Sequence, residues 1–145
     1  MSTKENKAVV RRLFDEIWTN GNMESAQEII ADDYESTDPT VRFHGINELN
    51  FVMPTGKRAI ELERSILSSN VSNLQFEIQE MIVNKDTVIT VWTVSGTSKT
   101  ETFMTRGGQL RNKTLNTDGI SVNRISDGKI KSNAMYWAHQ QALFS

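Results

Sequence analysis

The groups in this sequence that can move a proton are few: one well-placed carboxylate, two imidazoles and several hydroxyls. The stretch IIADDYESTDP, residues 29–39, gathers Asp32, Asp33, Glu35 and Asp38 and ends at Pro39. Proline disfavours helical geometry in the residue before it, so Asp38 stands apart from the helical run upstream. Its carboxylate reads either as a turn former, bonded to nearby backbone N–H groups, or as a general base. His44 and His139 are the two histidines, and an imidazole changes charge near neutral pH. Cysteine is absent, which removes thiol nucleophiles, thiolate metal sites and disulfides together. With two histidines a closed zinc site would need carboxylates to complete it, so no metal and no cofactor is expected. Acid–base chemistry needs only positioned carboxylates and hydroxyls.

The rest of the composition bounds the setting. The chain has 145 residues, 37% hydrophobic and 23% charged, the size of one ordinary domain and the balance of a globular one. We read residues 1–145 as a single domain. Sixteen basic and 18 acidic residues leave a net charge of −2, without the clustered basic excess that nucleic acid recruits. The paired cations Arg11-Arg12 and Lys57-Arg58 fall in helical patterns, as solvated faces do. No run approaches the roughly 18 apolar residues of a membrane span, and MSTKENKAVVRR has no apolar leader core, so a cytoplasmic protein is expected. The sequons at Asn70 and Asn112 add little without secretion.

Periodicity supplies the elements. Val9, Val10, Leu13, Phe14, Ile17 and Trp18 recur at helical spacing over residues 3–19, with Ser2 or Thr3 as the cap. Asn20-Gly21-Asn22 ends that helix. A shorter one uses Met23, Ala26, Ile29 and Ile30 and stops in the acidic run, leaving Asp32 and Asp33 in solvent and Tyr34 against the wall. Residues 40–56 read as a loop, and a third helix covers 57–69. The period then changes to two. Residues 74–79 and 87–95 are strands about an Asn84-Lys85-Asp86 turn; 97–104 and 110–125 are strands joined by Arg106-Gly107-Gly108-Gln109. Ser126-Asp127-Gly128-Lys129 turns the chain into a last strand from Ile130 to about His139. Helices followed by antiparallel strands predict an α+β fold, with the helices packed on one face of a curved sheet.

This order of elements, with these connectors, resembles the SnoaL-like polyketide cyclase family. The resemblance is carried by FDEIWTNGN at 14–22, by IIADDYESTDP, by VWTVSGT at 91–97, by GISVNRI at 119–125 with DGKI at 127–130, and by QQAL at 140–143. It implies the cone-shaped α+β fold (a cystatin-like roll) shared with ketosteroid isomerase, scytalone dehydratase and limonene epoxide hydrolase. The cone interior would be an apolar pocket closed by the helices and by the loop after Asp38-Pro39. Asp38 matches the aspartate that takes a proton α to a carbonyl in the isomerase relatives. The family's His-Asp-Pro is Thr37-Asp38-Pro39 here, its last-strand aspartate is Ala138 and its tryptophan four residues earlier is Ala134, which implies a roomier, less acidic wall. The isomerase's oxyanion tyrosine falls near Phe14 and its protonated aspartate near Ser121.

On that match the catalytic candidates are Asp38, Tyr136, Ser121 and His139. Tyr136 would share the pocket side with Ala134 and Ala138, reading as an oxygen donor or as a core tyrosine. Parity sets His139 on the other face, and Asn116 and Asp118 opposite Ser121. The substrate-binding candidates are Trp18, Tyr34, His44, Phe51, Trp92 and Trp137, with Trp18 and Trp92 read first as core. The resemblance implies a cofactor-independent isomerase, cyclase or dehydratase acting on a small, mostly apolar substrate of secondary metabolism. A non-catalytic small-molecule binder and an epoxide-opening hydrolase are the alternatives. It also implies a homodimer formed through the outer face of the sheet.

Overall fold

Ser2 starts the first helix because its side chain accepts the otherwise unbonded amide of Glu5, at 3.1 Å. The computed structural model describes residues 2–37, 54–99 and 114–137. Asp38, His44, Phe51, Ala138 and His139, most of the 40–56 loop and the glycine hairpin at 106–109 lie outside them. Helix α1 spans Thr3–Arg12 and passes directly into a π-helical segment, Leu13–Thr19. The sequence predicts one uniform helix here. The segment closes as a π-helix instead, and Leu13, Phe14, Ile17 and Trp18 are fully buried on it, on the face that the spacing predicts. A 3-10 turn at Met23–Ser25 leads into the short helix α2, Ala26–Ile29.

The acidic run then departs from expectation. It does not fray from a helix into solvent. Residues Ile30–Ser36 form strand β1, which pairs in parallel with the last strand through Ile30↔Ile130, Glu35↔Ser132 and Ser36↔Asn133. Ile30 and Tyr34 point inward and are buried, while Asp32 and Asp33 point to water, where Asp33 lies 3.4 Å from Lys131. Edge pairing decides the conformation, since the segment alone has weak strand character. Helix α3, Lys57–Asn70, is anchored to the same strand by the Gly56 amide donating to the Tyr34 carbonyl at 2.8 Å.

With strands β2 (Val71–Asn84), β3 (Thr87–Ser98), β4 (Thr114–Ser126) and β5 (Lys129–Trp137), the described residues form a five-stranded sheet in the order β1-β5-β4-β3-β2. All pairs except β1 with β5 are antiparallel. Bulges in β2 between Ser72 and Gln75, and between Ile78 and Glu80, bend the sheet around the helices. Gly96 does not end β3, as its position suggested; a Cβ there would sit 2.5 Å from Val71 Cγ1, so its bareness lets β2 come close. Asp127 and Gly128 take positive φ at the β4–β5 turn, as the tetrapeptide predicts. The three helices against this mostly antiparallel sheet make the α+β cone. No helix among the described residues is long and apolar enough to cross a membrane.

The two N-terminal helical units are tied by a charge cluster. Arg12 Nε and Nη2 donate to Glu16 at 2.7 and 3.1 Å, Ser25 Oγ donates to Glu16 at 2.6 Å, and Arg12 also reaches Glu28. The Arg12 hydrogen bonds, and then the Ser25 hydroxyl, hold Glu16 at a pKa of about 2. A carboxylate depressed in the folded state stabilises it above the unfolded pKa and loses that contribution as pH falls through the folded value. The stability difference between wild type and Glu16→Gln in urea is therefore expected to be flat above pH ~5 and to shrink toward pH ~2. A difference that stays constant down to the acid limit would show that Glu16 is not so held.

Candidate functional site

The inner face of β4 inverts the usual alternation. Thr117, Gly119, Ser121 and Asn123 point toward the helices and are buried, while Ile120 and Val122 point outward. Polar and bare positions thus line the interior at its centre. Gly119 lies opposite Trp92 on β3 and opposite Trp137 on β5. Having no side chain, it lets the two indoles meet edge to face over it, with centroids 5.0 Å apart and planes at 80°. A Cβ at 119 would fall 2.5 Å from Trp92 Cη2. Phe76 joins them at 5.1 Å from Trp92 and 6.4 Å from Trp137, and Phe14 on the π segment closes the group at 5.7 Å from Phe76. An aromatic wall on three strands and one helix is the result.

Ser121 is fully buried beside this wall, and its Oγ accepts a hydrogen bond from Trp92 Nε1 at 2.8 Å. The bond orients the indole and leaves the serine proton available to donate. Among the described residues Thr90 Oγ1, paired across from Ser121, and Thr117 Oγ1, Asn123 Oδ1 and Trp18 Nε1 are buried polar atoms without a partner.

A second, wholly polar set sits where α3 crosses β1, β5 and β4. Glu63 is 2% exposed. Tyr34 Oη donates to its Oε1, and Asn133 Nδ2 donates to its Oε2 at 3.2 Å. Asn123 Nδ2 in turn donates to Asn133 Oδ1 at 2.8 Å. A carboxylate out of water needs such donors. The carbonyl of Asn133 accepts from both the amide and the hydroxyl of Thr37, at 2.9 and 3.1 Å. The chain is therefore fixed to β5 at the residue just before Asp38.

The predicted residues divide on this geometry. Ser121, Trp92 and Trp137 come together on the inner face, and Trp18 and Tyr34 are fully buried in the core, as their core and wall readings require. Asn116 and Asp118 face away from Ser121, as alternation predicts. Tyr136 does not reach the interior. It is 51% exposed and pairs with Ile120 on the outer face, because Asn133, Met135 and Trp137 take the inward positions of β5. The same parity removes Ala134 from the interior wall, so the alanine there does not enlarge the interior. Asp38, His139, His44 and Phe51 lie outside the described residues. Glu63, Asn123 and Asn133 were missed. Glu63 carried a signal, since it occupies the core-facing spacing Ile60, Glu63, Leu67 on α3. Two surface crevices, of about 310 Å³ by Asn6 and Asp127 and about 400 Å³ by Gln75 and Asn116, contain none of the predicted residues.

Replacing Ser121 by alanine leaves the Trp92 indole N–H without its acceptor in a buried setting, which costs about 1–3 kcal/mol. Urea denaturation of Ser121→Ala is expected to show that loss, with the Trp92 indole proton resonance moving upfield. An unchanged resonance would mean that the bond does not form in solution.

The cone, its inner aromatic wall and its polar row can now be set beside known proteins. No curated protein matches the sequence. A SnoaL-like polyketide cyclase from Agrobacterium tumefaciens C58 superimposes with a TM-score of 0.74 at 10% identity, covering 99% of this chain and 98% of that one. TsrD from Streptomyces laurentii gives 0.73 at 12% identity, covering 95% and 91%. An NTF2-like protein of unknown function from Burkholderia pseudomallei K96243 gives 0.70 at 14% identity, covering 99% and 96%. At such identities the likeness establishes the cone fold. The sequence itself matches the SnoaL-like domain over residues 10–133, nearly all of the described strands and helices, and the chain belongs to that family.

Proposed function

We propose that this protein is a cofactor-independent enzyme that isomerises, cyclises or dehydrates a small, mostly apolar substrate of secondary metabolism inside the cone. The observation that carries this reading is the pairing of an aromatic wall with a fixed hydroxyl, Trp92 Nε1 to Ser121 Oγ, in the fully buried interior. Aromatic faces hold a flat apolar body, and a hydroxyl with its proton free can bond to a carbonyl oxygen of that body. Asp38 supplies the base in this proposal, one residue beyond the Thr37 anchor on Asn133, and His139 is a second acid–base candidate. A carboxylate drawn partly out of water is a stronger base than one in it. The names of several structural neighbours, polyketide cyclases among them, favour the same class. Tyr136, facing outward, has no part in it. Its loss from the interior favours a second reading, a binding protein without turnover.

The test is deuterium exchange α to the carbonyl of aryl ketones such as 1-tetralone, followed by NMR in D₂O. Catalysed exchange is expected in the wild type, falling about 10²-fold or more in Asp38→Asn. Exchange unaffected by the substitution removes Asp38 as the base. Binding of the ketone without exchange supports the second reading.

We further propose a homodimer through the outer sheet face. Two cross-strand rows there are apolar, Val91–Ile120–Tyr136 and Ile89–Val122–Ala134. Asp118 and Arg124 flank Ile120 and Val122 on the same face of β4, so a two-fold axis between them brings each charge to its opposite in the other copy. Sedimentation at micromolar concentration is expected to give twice the chain mass, and Ile120→Lys the single mass. A monomeric wild type overturns the proposal.

A further inference from the structure

Glu63 sits in a buried chain of side-chain hydrogen bonds that runs through Asn133 to Asn123. A carboxylate only accepts. Asn133 turns Nδ2 toward Glu63, at 3.2 Å, as an ionised carboxylate requires, and its Oδ1 toward Asn123. Asn123 must answer with Nδ2, which also lies 3.3 Å from the Ser132 carbonyl. The remaining atom, Asn123 Oδ1, is buried without a partner and is an acceptor by necessity. It lies on the inner face of β4 two residues from Ser121, and diagonally across from Thr90, whose hydroxyl is also unpartnered.

We propose that the chain Glu63–Asn133–Asn123 sets the polarity of a recognition point in the cone, and that this point takes a hydrogen-bond donor of the ligand, a hydroxyl or an N–H, at Asn123 Oδ1. The inference rests on the reading of the interior as a small-molecule pocket and adds to it the chemical class of ligand group taken there. Glu63 and Asn133 act as positioning residues. They do not touch the ligand; they decide which end of the Asn123 amide it meets. An acceptor left dry would destabilise the fold, so a donor is needed at this point, and an apolar ligand carrying a hydroxyl supplies one where an ether of the same shape does not.

The experiment compares 2-naphthol with 2-methoxynaphthalene, by titration against the wild-type protein and two variants. The wild type is expected to bind the naphthol about tenfold more tightly. Asn123→Val, which removes the acceptor, should erase that preference. Glu63→Gln is the sharper test. The new amide offers a donor as well as an acceptor, so Asn133 is no longer held with Nδ2 toward residue 63, and the orientation of Asn123 rests on the Ser132 carbonyl alone. The naphthol preference should weaken severalfold. Equal wild-type affinity means that an ordered water only pairs Asn123, and overturns the inference while leaving the pocket in place. A naphthol preference that persists in both variants assigns the recognition elsewhere and also overturns it. Binding of neither probe removes the pocket reading, and this inference with it. Should a variant fail to fold, the wild-type comparison still decides whether a donor is selected.

Discussion

A buried acid group needs hydrogen bonds to replace those of water, and much of the architecture around Glu63 meets that need. Glu63 lies on helix α3, and the donors it requires come from β1 and β5, through Tyr34 and Asn133. Those two bonds fasten the helix across the one parallel junction of the sheet. They give the parallel edge strand a reason to be where it is, although its own letters favour a solvated run. The Asn133 backbone carries the fastening onward to Thr37. Where the chain leaves the sheet toward Asp38 is thus governed by a group that sequence reading passes over.

The two faces of the sheet repeat the inversion seen in β4. Hydrophobic burial would place Ile120 and Val122 inward and Ser121 and Asn123 outward; the structure does the opposite. Apolar area left on an outer face lowers solubility unless something covers it, and polar groups drawn into an interior destabilise it unless they are bonded. Both departures from the simplest pattern occur on the same strand, in alternate residues.

The elements were largely legible, because helix and strand periods are local. The first helix with its Ser2 cap, α3, and the strands about residues 84–86 and 126–129 stand as the spacing predicts. What was not legible depended on partners distant in sequence. Strand β1 exists because β5 lies beside it, 100 residues on from Ile30 to Ile130. The inward parity of β5 could not be read from its own letters, since Ala134 and Tyr136 look as suited to an interior as Asn133 and Met135. One slip of a residue turned every side chain over, and with it the expectation for Tyr136 and Ala134. Ser121 was found by resemblance. Glu63 was open to detection by its spacing, and a charged letter on an apolar stripe is worth asking about.

The space above Gly119 has a further consequence. Trp92 Cη2 occupies the place where a side chain at 119 would begin, so the two positions divide a single volume. A larger residue at 119 enters only if both the indole and the Tyr136 carbonyl, 2.6 Å from the same point, give way. A methyl gained there displaces the indole on β3, and with it the bond from Trp92 to Ser121. One bare backbone position thereby decides whether this aromatic wall and its serine come as a pair.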